Sequence, residues 1–284
     1  MGLIRFSRDG TRVGFVGKRF GASYVVINGE ERGPFESVAE LHPGSPDLFV
    51  ARTKEGWRVF AGEQSGEPYE KIAGLIEGPA YAARRDKENW VIDGEVKRGP
   101  FTSLKSQLMR DAAGKLVFAA QTADSWVVVI GDRELRGWDE IETPVIDAKH
   151  VGFIGERNGR YVVSIDGEER STWEWASSLV LSGDRVAHLA RRTGRTFVVI
   201  DGKELSFDVV VAGTLAFSKD GKRFGCITGD AKTRKLFITR EDGKHTQVDM
   251  EELVAALSRG NQDSLLSAPD VTLLRRWVGA ELEQ

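Results

Sequence analysis

Catalysis or metal binding needs a nucleophile, a titratable group or a ligand with a second group at a workable spacing. The 284-residue chain offers few such pairs. Its histidines, His42, His150, His188 and His245, stand singly, and Cys226 is the only cysteine. One cysteine makes no intramolecular disulfide and no zinc site of two or four thiolates, so neither a metal nor a cofactor is expected. Cys226 lies in the apolar run Phe224 to Ile227 and reads as inert packing, while His42 and His150 flank turns and are expected to face solvent. There is no Gly-x-Ser-x-Gly elbow, no His-Glu-x-x-His, no Gly-x-Gly-x-x-Gly between a strand and a helix, and no Gly-Lys-Ser/Thr phosphate loop. No catalytic residue is assigned.

Charge excludes further classes. Forty Lys and Arg stand against 43 Asp and Glu, a net −3, so bulk charge attracts neither nucleic acid nor anionic lipid. No apolar run reaches the ~18 to 20 residues of a membrane span, and the first residues lack a secretory h-region, so a cytoplasmic location is expected. With 40% hydrophobic residues and 32 glycines the chain is globular and has enough apolar side chains for a large core.

The elements that must position any site come from a repeat. Short β-rich runs end in glycine turns at Asn28-Gly29, Ala61-Gly62, Asp93-Gly94, Gly131-Asp132, Asp166-Gly167, Asp201-Gly202 and Asp242-Gly243, spaced 32 to 41 residues apart. Asn-Gly and Asp-Gly tolerate the positive φ of a hairpin turn, so each unit holds a hairpin. Soon after each turn comes an aromatic, Phe35, Tyr69, Phe101, Trp138, Trp173 and Phe207, with Val248 in the seventh unit. Upstream lies another apolar strand, as in Leu48 to Ala51, Leu116 to Ala120 or Val186 to Ala190. A short innermost candidate precedes it, as in Leu3 to Ser7, Val38 to Leu41, Gly74 to Ile76 or Ser178 to Leu181. Four strands in each of seven units predict an all-β, seven-bladed β-propeller over residues 1–249. After Asp249 the apolar spacing becomes helical through Met250, Leu253, Val254 and Leu257, and again through Val271, Leu274, Trp277 and Val278. This predicts a C-terminal helical appendage over 250–284, packed on the propeller or used for docking.

Two turns are closely alike: Phe6-Ser7-Arg8-Asp9-Gly10-Thr11-Arg12 and Phe217-Ser218-Lys219-Asp220-Gly221-Lys222-Arg223. They resemble the Phe-Ser-x-Asp-Gly-x-Arg turn of the TolB-type, WD-repeat-like propeller repeats, and the resemblance covers roughly residues 3 to 249 as a fold. It implies a propeller and leaves activity open.

One charge pattern follows the repeat. An acid comes directly after the outer aromatic at Glu36, Glu70, Asp139, Glu174 and Asp208, and after Val248 at Asp249; Thr102 is the exception. Basic residues end the second strand at Lys18 and Arg19, Arg52 and Lys54, Arg84 and Arg85, Arg157, and Arg191 and Arg192, with Gln121 where a base is expected. In a propeller both series emerge at one end, which predicts a structural charge ring of Glu36, Glu70, Asp139, Glu174, Asp208, Asp249, Arg52 and Arg191. Glu70 is the expected mate of Arg52. Partner contacts are expected where the repeat breaks: at Trp175, Thr102, Gln121, Arg84 and Arg85, the two arginines forming a positive spot because Thr102 supplies no acid. Trp57, Trp90 and Trp126 open third strands, and Trp138 and Trp173 keep the outer-strand register, so these five read as packing.

The function these features suggest is a non-catalytic binding or scaffold propeller for a protein or peptide partner. The alternatives are an enzyme or small-ligand binder at the central channel mouth, or an accessory propeller of a larger assembly. The sequence leaves the oligomeric state open.

Overall fold

The computed structural model describes residues 4–105, 107–230, 233–239 and 244–249. They form seven antiparallel sheets in chain order, each running from an inner strand outward. The first is Ile4–Phe6, Val13–Arg19, Ala22–Ile27 and Glu30–Phe35, the second Ser37–Leu41, Leu48–Thr53, Gly56–Ala61 and Gln64–Ser65, and the third Lys71–Ile76, Ala80–Arg85, Glu88–Asp93 and Val96–Phe101. In the fourth, Ser103–Leu104 and Met109–Arg110 both pair with Leu116–Gln121, followed by Trp126–Ile130 and Arg133–Trp138. In the fifth, Glu140–Ile141 and Val145–Ile146 both pair with Val151–Arg157, followed by Arg160–Ile165 and Glu168–Trp173. The split in the fifth falls at Pro144, which has no N–H to give the ladder. The sixth is Trp175–Ser182, Arg185–Arg192, Arg195–Ile200 and Lys203–Phe207, and the seventh Ala216–Phe217, Phe224–Thr228, Lys235–Thr239 and His245–Asp249. This is the strand plan of a seven-bladed β-propeller.

The chain divides into two compact units. One holds residues 1–110 and 114–136, the other 111–113 and 137 onward. The predicted helices of 250–284, and Asp242-Gly243, lie outside the described residues.

Inner strands begin earlier than the apolar pattern suggests. Ser37, Lys71, Ser103, Glu140 and Trp175 each open one, two residues past an outer aromatic. In the first four a polar residue concealed the start, because periodicity registers only the apolar half of a strand. The hairpin turns also differ by one residue between blades. Asn28, Asp166 and Asp201 take φ of 50°, 54° and 51° ahead of their glycines, whereas Gly62, Gly94 and Gly131 themselves open their turns at 61°, 59° and 59°.

The Ser-x-Asp-Gly turns are self-contained. Ser7 Oγ donates to Asp9 at 2.5 Å and accepts from the Arg12 amide at 2.9 Å, while the Thr11 amide and hydroxyl also reach Asp9. Those donors hold the Asp9 carboxyl down at about 2, the Ser7 hydroxyl most of all. Ser218 and Asp220 repeat the arrangement at 2.6 Å.

Packing between consecutive blades follows a rule that joins three positions. The outer aromatic of one blade meets an aromatic on the next blade's second strand edge to face: Phe35 with Phe49 (5.7 Å between centroids), Tyr69 with Tyr81 (6.3 Å), Phe101 with Phe118 (5.8 Å) and Trp138 with Phe153 (5.3 Å). Two residues beyond each partner is a small residue: Ala51, Ala83, Ala120 and Gly155. Gly155 lies under Trp138, where a Cβ would stand 2.5 Å from the indole. The size of the aromatic thus dictates the smallness of its seat.

Candidate functional site

The end of the blades where second strands finish and outer strands hand over to the next blade collects most of the sequence candidates. At four junctions the residue after the outer aromatic donates its backbone N–H to the last part of the following blade's second strand: Glu36 to Arg52 O at 2.9 Å, Glu70 to Arg84 O at 2.9 Å, Thr102 to Gln121 O at 2.8 Å, and Asp139 to Glu156 O at 2.8 Å. Each acid is therefore placed beside the next blade.

That geometry corrects two expectations. Arg52 pairs with Glu36, Nε to Oε2 at 3.2 Å, and Glu70 is not its mate, because the acid crosses forward to the blade it precedes. Arg85 is served by Glu67 at 3.2 Å, so the missing acid at Thr102 does not strip it of a partner. Thr102 faces Gln121, its Oγ1 donating to the Gln121 carbonyl at 3.1 Å. The two departures from the repeat occupy one junction, where neither charge is present and neither is needed.

Three of the six ring acids hold backbone amides. Asp139 Oδ2 accepts from the Asn158 amide at 2.8 Å, Glu174 Oε2 from Thr193 at 2.9 Å, and Glu70 Oε1 from Asp86 at 3.4 Å. Asn158, Thr193 and Asp86 all have φ between 50° and 54°. The acids hold turns that most side chains enter only with strain. Asp208 is exposed and Asp249, half-buried, ends the last described strand.

Arginines at these strand ends lie on aromatic rings. Arg85 is 4.5 Å from the Tyr69 centroid, Arg157 is 4.0 Å from Trp138, and Arg192 is 5.0 Å from Trp173. Arg85 also reaches Glu67 at 3.2 Å, and Lys97 together with Arg85 lowers the Glu67 carboxyl pKa. The Arg84 guanidinium extends from the strand end exposed and without an ion pair among the described residues. Trp175 is half-buried against the cluster containing Phe217 and Phe224, with Arg191 opposite it in register and 5.6 Å from its ring.

One residue at this end escaped the sequence reading. Phe20 is 98% exposed at φ 51°, the opening residue of the turn between the first blade's second and third strands. The signal was present, since Phe20-Gly21 stands where other blades carry Asn158-Gly159 and Thr193-Gly194. The ring borders a recess of about 730 Å³ shared with Pro34, Glu36 and Lys54. A second recess of about 490 Å³, bordered by Arg52, Trp57, Tyr69 and Arg85, continues from it across Glu55.

Among the described residues no group of three or more His, Cys, Asp and Glu is placed to hold a metal ion, and no helix is long and apolar enough to cross a membrane. Burial pushes the Cys226 thiol up to about 12, so it stays protonated. His42 and His150 are half-buried instead of facing solvent. His150 Nδ1 lies 2.6 Å from Asp166, where it braces the hairpin turn.

No family model matches the chain. No curated protein sequence matches it either. Solved structures do align with it. A eukaryotic initiation factor structure is 11% identical, covering 87% of this chain and 77% of that one at a TM-score of 0.47. TolB from Acinetobacter baumannii is 15% identical over 87% of this chain and 78% of its own, at 0.37. The β-propeller domain of the Trilobed protease from Pyrococcus furiosus is 14% identical over 86% and 82%, at 0.34.

Proposed function

We propose that the chain is a cytoplasmic, non-catalytic binding propeller of TolB-type repeats that recognises a protein or peptide along the recesses between Phe20 and Arg85. The observation that carries this reading is Phe20. A wholly exposed aromatic in the left-handed region costs backbone strain and apolar hydration together, and neither is recovered among the described residues. A partner that covers the ring recovers the second. Exposed aromatics beside arginines are the usual anchors of such contacts, and Arg52 and Arg85 lie along the same path, with the exposed Arg84 next to Arg85 in the chain. Trp175, Thr102 and Gln121 carry less weight than the sequence pattern suggests, because each is engaged by its own framework.

The test is a displayed-peptide selection on the full chain, with hits measured against Phe20→Ser and Arg84→Glu. Hits that weaken at least tenfold with Phe20→Ser, while the variant melts no lower than the parent, support the reading. Hits bound equally by both proteins, or no hits, sink it.

A further inference from the structure

His188 departs from the packing rule in a way that points to a ligand. The second strand of the sixth blade places His188 where Phe49, Tyr81, Phe118 and Phe153 stand in their blades, with Ala190 as the small residue two places on. Its ring meets Trp173 at 5.9 Å and 64°, the same edge-to-face contact. A phenyl would fill this place at no polar cost. The imidazole is 4% exposed, and neither Nδ1 nor Nε2 has a hydrogen-bond partner among the described residues. Burying two such atoms unmet is destabilising, and native interiors rarely leave them so.

A cleft of about 670 Å³ between the fifth blade's outer strand and the sixth blade's second and third strands reaches the imidazole. Val163 and Val199 give it an apolar floor, and Trp173 forms part of its wall. At the mouth the charges are already matched, Arg192 with Glu204 at 2.7 Å, Arg170 with Glu168 at 3.2 Å, Asp184 with Lys149 at 2.7 Å and Asp201 with Arg185 at 2.9 Å.

We infer that this cleft binds a small neutral phenol or aryl alcohol, its ring on the apolar floor and its hydroxyl meeting the imidazole. Each element of that class comes from the lining. A neutral imidazole offers one acceptor and one donor, and a hydroxyl is the smallest group that answers either. An anion would find the cations at the mouth already paired, and an ion of either sign would lose its hydration over the valines. Burial favours the uncharged imidazole that such a ligand needs. The site shares no lining residue with the Phe20 recesses, and its fate is independent of theirs.

The probes are p-cresol and, as a partner lacking the hydroxyl, toluene, titrated into the full chain and into His188→Phe. Calorimetry and the His188 ring resonances in NMR read the outcome. The parent should bind p-cresol at least tenfold more tightly than toluene, with the His188 signals shifting on p-cresol addition. His188→Phe should fold, melt higher than the parent, and lose the preference between the two probes. His188→Gln, which keeps a donor and an acceptor, should retain part of the preference. No p-cresol binding by the parent, equal affinity for toluene, or full preference surviving in His188→Phe would each overturn the inference.

Discussion

Phe20 and His188 are paired opposites, an apolar ring held in water and a polar ring held in the core. Replacing Phe20 with Asn puts into the turn a residue that enters positive φ readily, so stability should rise by about 1 kcal/mol, read as a higher melting temperature. His188 gives a pH dependence of known sign. Its pKa falls from the ordinary 6.5 to about 4 through burial, so below 6.5 the unfolded chain binds the extra proton and stability is lost as pH falls towards 4. The loss is on the order of 3 kcal/mol when complete. His150 acts in the other direction. Its pKa is raised chiefly by the Asp166 hydrogen bond, so its contribution is full at low pH and fades above the ordinary value. Denaturant midpoints across pH 4 to 8 should show the acid-side slope of the parent flattened in His188→Phe and the neutral-side slope flattened in His150→Asn. At the strand ends, Arg52→Glu should cost within ~1 kcal/mol, because both members of the Arg52 and Glu36 pair are about half exposed. Arg84→Glu should cost nothing measurable.

At the scale of elements, the strands owe their order to composition and their joints to shape. Hairpin glycines and outer aromatics were legible because each is a property of one position: a required φ or a ring to bury. The seat for each aromatic was not. Ala51, Ala83, Ala120 and Gly155 are unremarkable in an apolar run, and only the neighbouring blade's ring gives their size a meaning. Gly155→Ala should therefore cost about 1 to 3 kcal/mol by overpacking against Trp138, while Gly137→Ala, in open space, should show only the strain of its positive φ. Hydrogen exchange should find the loss concentrated in the second strand of the fifth blade. The pairing within the charge series was read wrongly, since Arg52 meets Glu36 and not Glu70. The alternating signs give composition along the chain, whereas Glu36 beside Arg52 depends on how an outer strand crosses to the next sheet.

For the whole molecule, the seven sheets were readable from the period alone, since a unit that cannot bury both faces must repeat until its neighbours cover them. Function was less readable. A propeller's sites lie where the repeat breaks, and some breaks were structural repairs: Thr102 and Gln121 cancel one another across a single junction. Others, such as Phe20, pass unnoticed inside a turn motif. Screens for esterase, peptidase, phosphatase and lactonase turnover on the full chain should stay at background, and a turnover abolished by one substitution in the recesses would refute the binding reading.

The edge-to-face contacts carry one more implication. Each joins residues only 12 to 17 positions apart, from Tyr69 and Tyr81 to Phe101 and Phe118, although the two rings belong to different sheets. A chain emerging from the ribosome can therefore seat a second strand against the finished blade before its own hairpin has been synthesised. Each blade becomes the template on which its successor starts, and translation proceeds with little apolar edge left waiting for a distant partner.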